Sequence, residues 1–481
     1  MTLMAAETKQ GQYQIVGVLG LFSLLTALAG SSTNLALPRI AIDLHVTSST
    51  ATWIVQVALI TTTILLVMFG HLGDLLSKNF IFSAGGLLFT VGSLITGVAF
   101  DIVTMLVGRF IQAIGAAMVM ANSMGIVTEH FADSNRAEAL AAIGMFVSVG
   151  SISGPALGGL IMSFTSWRWI FLLNVPLGIL GAFLGARVLP LPRYRWADIK
   201  KATAHANWTG QNLFTAGIIL FFLSGSIFQN GLQRWVIGTL LLVSGVALTA
   251  AAFIQDNHAA KPWFAPALAR NHDFLLSVIL LGLAMLVNAV SNILLPFYLQ
   301  SFGRMTPLAS GLIMVLQDAT MLLITPAAGW LADHWDRMKL TMVGLAVLVI
   351  SQLGYITFPA NMALWRIIPP IVLNGIGMGL FLTPNNAITM GVVPATLTGV
   401  AGSFNSFART LGMTMGISLG SALLFIQLPG VGRITPGLGM RFMQAFATVF
   451  WVAAAISFIA LIIVVWRGWR GPAKQSITPH Q

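Results

Sequence analysis

The sequence predicts an all-α integral membrane protein of fourteen crossing helices, arranged as two six-helix halves with two further helices inserted between them. Composition, the recurrence of apolar stretches of crossing length and an internal repeat carry that expectation. Of 481 residues, 57% are hydrophobic and 8% charged, too few charges to cover a soluble globule of this size. A hydrocarbon core of about 30 Å takes roughly 20 apolar residues per helix, and such stretches recur along the chain.

The predicted spans are 14–37, 50–70, 80–100, 104–128, 137–163, 168–189, 209–228, 234–254, 274–299, 308–332, 338–358, 364–389, 399–427 and 443–466. An even number of crossings puts both termini on one side. If that side is cytoplasmic, fifteen Lys and Arg residues fall in inner segments and seven in outer ones, with Arg109 and Arg409 inside spans, which accounts for all 24. The bias toward the inside predicts cytoplasmic termini in a cytoplasmic membrane. It also absorbs most of the net charge of +11, so no nucleic-acid role is read into it. The absence of cysteine excludes disulfides, thiol catalysis and thiolate metal sites. The first span is longer than a signal-peptide core and is followed at once by another, so it is expected to be retained.

The repeat is visible in GHLGDLLSK from Gly70 and GWLADHWDR from Gly329, where Gly, Leu and Asp recur in register and Asp74 matches Asp333. At nearly the same offset, Gly150, Gly154 and Gly158 are echoed by Gly412, Gly416 and Gly420. Spans 1–6 are therefore equivalent to spans 9–14, and spans 7 and 8 are an insertion. The expected organisation is a first half (1–189), a cytoplasmic linker (190–208), the inserted pair (209–254), a second linker (255–273) and a second half (274–481). Two parallel halves of this kind suit a transporter that rocks around a site at the membrane midplane.

Several stretches carry a family resemblance over nearly the whole chain: GHLGDLLSK, GRFIQAIGAA from Gly108, SGPALGGLI from Ser153, NLALPRIAIDL followed by Trp53, and SWRWIFLLNVPLG from Ser166. Together they resemble the major facilitator superfamily, specifically its fourteen-helix drug:proton antiporter branch. The resemblance implies multidrug efflux, of the kind that confers antibiotic resistance, by alternating access. It implies no cofactor beyond a proton gradient, and a monomer suffices. Three places depart from the branch pattern. Ala29 stands where a first-helix aspartate is usual, Ala58 where a tyrosine is common, and Leu75 and Ser77 replace a basic residue and a glycine of the loop motif.

Ionisable groups inside hydrocarbon are costly and mark cavities or partners. Asp318 lies about ten residues into span 10, roughly 15 Å from the outer end at 1.5 Å per residue, and is the one acid deep in the membrane. It is read as the proton-coupling or cation-binding carboxyl, or else as a hydrogen-bonded structural aspartate. Arg109 either orients polar groups such as Asn34 and Gln112 or snorkels outward. Arg409 is divided between a cavity or gating role and snorkelling. Gln56 joins the candidate cavity, and Asn122, Asn174, Asn288, Asn292, Gln317, Asn374 and Asn405 are further polar residues that also serve interhelical hydrogen bonding. Gly70, Asp74 and Lys78, with Gly329, Asp333 and Arg337, form the candidate conformational gate. Gly150, Gly154, Pro155, Gly158 and Gly159 form the helix 5 motif. Its GxxxG spacing gives a smooth packing face, expected to be a bent contact between the two halves.

No enzyme is expected, because the sequence shows neither a metal-binding histidine pattern nor a phosphate-binding loop. The expected function is export of amphipathic small molecules in exchange for protons. A facilitator not coupled through a helix 1 acid remains open, as does a transporter-like sensor.

Overall fold

The computed structural model describes residues 9–131, 133–190, 192, 207–229, 235–258, 271–393 and 398–469. Among them the chain forms helical rods and no strand. The rods are α1 (Lys9–Asp43), α2 (Ser48–Leu75), α3 (Lys78–Gly97), α4 (Ile102–His130), α5 (Asp133–Phe164), α6 (Arg168–Val188), α7 (Trp208–Gln229), α8 (Trp235–Asn257), α9 (His272–Phe302), α10 (Pro307–His334), α11 (Arg337–Ile356), α12 (Leu364–Gly391), α13 (Thr398–Ile426) and α14 (Gly439–Trp469). Thirteen are long and apolar enough to cross a membrane, and α7 adds a helix of 22 residues. The predicted linkers 190–208 and 255–273 lie largely outside the described residues, as do Arg193, Arg195, Lys200, Lys201, Lys261, Arg270, Arg470 and Lys474.

Each predicted span falls on one rod, and where a polar side chain caps the start of a rod the helix begins before the apolar run. Thr47, Asp101, Asn271 and Thr306 accept from the first-turn amides of α2, α4, α9 and α10. At Asp101 the amide of Thr104 donates at 2.8 Å and its hydroxyl at 2.6 Å, and these two bonds hold the carboxyl below its usual range. The last turn of α9, Phe297–Phe302, widens to a π-helix, and Tyr298 in it donates to the Pro359 carbonyl at 2.6 Å.

The repeat is repeated in packing. In the first half α5 lies along α1, and α4 against α2 and α3; in the second, α13 lies along α9, and α12 against α10 and α11. The halves meet through α5 on α10 and α2 on α13, two contacts that the repeat exchanges.

The core is asymmetric along the membrane normal. At the end opposite the termini one apolar cluster runs through both halves, from Leu35, Ile54 and Phe171 to Leu294, Phe425 and Phe446. At the terminal end the clusters separate, one around Phe22, Phe82 and Val127 of the first half and another around Leu281, Leu345 and Phe381 of the second. Polar bonds between the halves follow the same division. Gln300 donates to the Leu35 carbonyl at 2.8 Å and the Ser48 amide to that of Gly432 at 3.0 Å, both at the far end, and Thr63 meets Thr414 at 3.1 Å at mid-depth. Apart from the small cluster by which α7 joins Ile64 and Leu66 to Phe407, the halves are therefore sealed together at one end and parted at the other, which leaves a cleft opening toward the termini.

Candidate functional site

Helix register places Asp318 at the head of this cleft. On α10, the carbonyl of Pro155 from α5 lies directly over Gly311, and the Pro307 carbonyl and Leu308 lie over Gly159. Asp318 follows Gly311 by seven residues, two helical turns, and so stays on the face of α10 turned to α5. Ser148 of α5 is the residue at its level. Asp318 is half-buried, and among the described residues no hydrogen bond or ion pair reaches its carboxylate. Next to it, Gln317 donates to Asn288 of α9 at 2.8 Å.

Arg409 lies lower in the same half. Asn405, one turn before it, donates to Asn386 of α12 at 3.0 Å, and Gly412, one turn after it, rests on the Gly282 backbone of α9. On the helical wheel Arg409 falls between Gly416 and Gly420, which rest on Leu286 and on Val290 and Leu294 of α9, so it lies on the interior stripe of α13 and does not snorkel to lipid. It too is half-buried, with no hydrogen bond or ion pair among the described residues.

Arg109 is different. It is 4% exposed; its Nε donates to the Ile54 carbonyl of α2 at 3.0 Å and its Nη1 to Gln112 Oε1 at 2.6 Å. Gln112 in turn donates to Ser93 of α3 at 2.7 Å, and the Phe171 ring of α6 covers the guanidinium at 5.7 Å. The snorkelling alternative is overturned here, because a side chain bonded inward to the α2 backbone and to Gln112 of its own helix, beneath a ring of α6, has no need of the water surface. The Asn34 side-chain oxygen is buried without a partner, and Gln56 donates only to Thr52, at 3.3 Å. The structure thus does not join Asn34 or Gln56 to Arg109.

The helix 5 glycines also require a correction. A Cβ on Gly150 would lie 2.5 Å from the Leu24 carbonyl, one on Gly154 would overlap Ser31, and one on Gly158 would stand 3.1 Å from Ser32. This face therefore packs on α1, inside its own half. The contact between halves is made by Pro155 and Gly159 on the neighbouring face. Spacing of four reveals close approach, but not the identity of the helix approached. Gly412, Gly416 and Gly420 lie on α9 in the same way.

At the terminal end Lys78 pairs with Asp74 at 2.7 Å and with Glu129 of α4 at 2.6 Å, and Arg337 stands 3.7 Å from Asp333. Each cluster stays in its own half. Gly70 and Gly329 meet only side-chain carbon, at 4.0 and 3.8 Å.

A sequence profile described as Major Facilitator Superfamily matches residues 19–417 and 279–480. The chain belongs to the major facilitator superfamily. It is similar to the riboflavin transporter RibZ of Clostridioides difficile, with 28% identity over 94% of this chain and 96% of the relative. It is 30% identical to the cephamycin export protein CmcT of Amycolatopsis lactamdurans, over 89% of this chain and 87% of that one. It is 25% identical to the multidrug transporter MdtP of Bacillus subtilis, over 88% and 77%. A crystal structure of a bacterial homologue of the human lysosomal transporter Spinster, inward-facing and unoccupied, superposes with a TM-score of 0.65 at 13% identity, over 95% of this chain and 98% of that chain. The chain is accordingly a multi-pass membrane transporter of small molecules and not an enzyme.

Superfamily membership also gives meaning to two signature stretches whose connection the sequence does not display. Asp43, which ends NLALPRIAID, accepts from Trp167 Nε1 at 2.9 Å and from Arg168 at 2.6 Å, both in SWRWIF, and Arg168 also donates to the Ala99 carbonyl at 3.1 Å. This knot ties α1, α3 and α6 at the sealed end. Sequence reasoning missed it, along with Glu129 and the ion pair of Arg467 with Asp273 at 3.1 Å. A partner 124 residues away leaves no local pattern to find.

Proposed function

We propose that the chain exports amphipathic small molecules across the cytoplasmic membrane, with both termini cytoplasmic, in exchange for protons taken up and released at Asp318. The observation that carries this reading is a carboxylate without a partner at the head of the cleft, on the helix that forms half of the inter-half seam. A carboxyl so placed meets water on one side when the cleft is open and on the other once the halves have rocked, as exchange requires. Relatives named for multidrug resistance and export support the direction and breadth of transport. The proton gradient is then the energy source, and a monomer contains the whole path. In reconstituted vesicles with a trapped pH dye, substrate-driven proton movement should fall at least tenfold in Asp318→Asn; unchanged movement removes Asp318 as the coupling acid.

A facilitator is the second reading, favoured by Ala29, which is 3% exposed in an apolar cluster with no acid beside it on the first helix. Collapsing the proton gradient separates the two: concentrative export stops in an antiporter, and equilibrating flux persists in a facilitator.

A further inference from the structure

A guanidinium in hydrocarbon normally carries its counter-charge or its hydrogen-bond acceptors with it, because desolvation is otherwise uncompensated. Arg109 obeys this rule through Ile54 and Gln112. Arg409 does not: it sits on the interior stripe of α13 facing α9 and α12, with no acceptor supplied by any described residue. Asp318 is the one acid within the spans of this half, and it does not pair with Arg409. The remaining acids of the half lie at helix ends. Asp273 is taken by Arg467, Asp333 stands near Arg337, and Asp336 caps α11. The neighbours on the stripe, Asn405 and Asn386, spend one donor and one acceptor on each other, and the Asn405 oxygen stays buried without a partner.

From this geometry we propose that Arg409 is an anion-recognising subsite of the cleft, taking the sulfonate or carboxylate head of an amphipathic monoanion. The apolar body of that ligand lies against the surrounding side chains of α9 and α12. A guanidinium suits the role because its fork donates two parallel bonds to one oxyanion and it stays charged at any physiological pH. The subsite rests on the reading of the cleft as the path of amphipathic substrates, and it narrows that class to anions over cations. Asp318 on α10 then remains available to the proton while the ligand's charge is held elsewhere, so that one site need not serve both.

The test uses two fluorescent probes that share an aromatic skeleton: 1-anilinonaphthalene-8-sulfonate, which bears the anion, and neutral N-phenyl-1-naphthylamine. Saturable binding to the full chain in lipid nanodiscs is measured after subtraction of empty discs. The wild type should bind the sulfonate at least tenfold more tightly than the neutral probe. Arg409→Gln should erase that preference while leaving neutral binding within about twofold, and Arg409→Lys should keep part of it. A monodisperse size-exclusion profile and a retained melting transition establish that each variant is folded. Equal affinities in the wild type, or an anion preference that survives in Arg409→Gln, overturns the subsite while leaving the amphiphile reading intact. Saturable binding of neither probe overturns both. Proton coupling through Asp318 is read separately in vesicles and does not depend on either result.

Discussion

Arg109 and Arg409 are both guanidinium groups carried into apolar surroundings by the middle turns of a helix, and the two halves treat them in opposite ways. The first half encloses Arg109 in bonds to α2 and Gln112, which is itself anchored on Ser93, with an aromatic ring across the guanidinium. Among the described residues the second half leaves Arg409 and Asp318 without a hydrogen bond or ion pair and keeps several carboxamide atoms of Gln317, Gln352 and Asn374 buried and unbonded. The same duplicated scaffold has thus put its charge to structural use in one copy and left it open in the other. The difference teaches that an ionisable residue in a membrane helix marks function when its bonds are missing, not merely because it is there.

The contrast can be broken most sharply at the glycine faces, where the expected effects are largest. A Cβ on Gly416 meets the backbone carbonyl of Leu286, whereas one on Gly154 meets the Ser31 side chain, its Cβ at 2.8 Å, with the nearest backbone atom, the Ser32 nitrogen, at 3.1 Å. Gly416→Leu should prevent recovery of a monodisperse protein. Gly154→Leu should insert and fold but lose transport, since α1 and α5 can no longer close on each other. A fully active Gly154→Leu would remove the close contact from the mechanism.

Next come the two arginines. Arg109→Met orphans an amide oxygen and a carbonyl and should lower stability by about 2–6 kcal/mol at a typical 1–3 kcal/mol per unmade bond, seen as a lower melting temperature. Arg409→Met removes an uncompensated charge and should leave the melting temperature unchanged or raise it. If both variants melt early, the two halves do not differ as described.

The smallest difference lies at the terminal end. Lys78 holds two carboxylates and is shielded to 20% exposure, while Arg337 faces Asp333 at 3.7 Å across open solvent. Lys78→Met should cost about 1 kcal/mol in thermal unfolding at low salt, and Arg337→Met close to nothing. Equal costs would mean that Glu129 adds nothing to the first cluster.

Much of the fold was legible because crossing a bilayer leaves a long one-dimensional signal. Every rod lies on a predicted apolar run, and the offset between Asp74 and Asp333 already implied the equivalence of α2 and α10, each of which packs on the fourth helix of its own half. The location of Asp318 was legible for the same reason, since a lone acid in twenty apolar residues stands out. What could not be read was direction around a helix axis. Gly154 announced a close neighbour without naming α1, and Arg109 gave no sign that its bonds run to Ile54, because a backbone carbonyl has no side-chain signature. The knot of Asp43 with Trp167 and Arg168 was hidden for a related reason: its members were all visible as motif residues, yet only folding brings them together.

The inserted pair gives the molecule one more property. Helix α7 lies across the seam, bonded to the first half by Gln211, which donates to the Ile64 carbonyl at 3.1 Å, and touching the second through the ring of Phe214 against Phe407, 5.7 Å between centroids. The inserted pair therefore reaches both halves through α7, which packs on both partners of the α2–α13 joint, while α8 packs on α7.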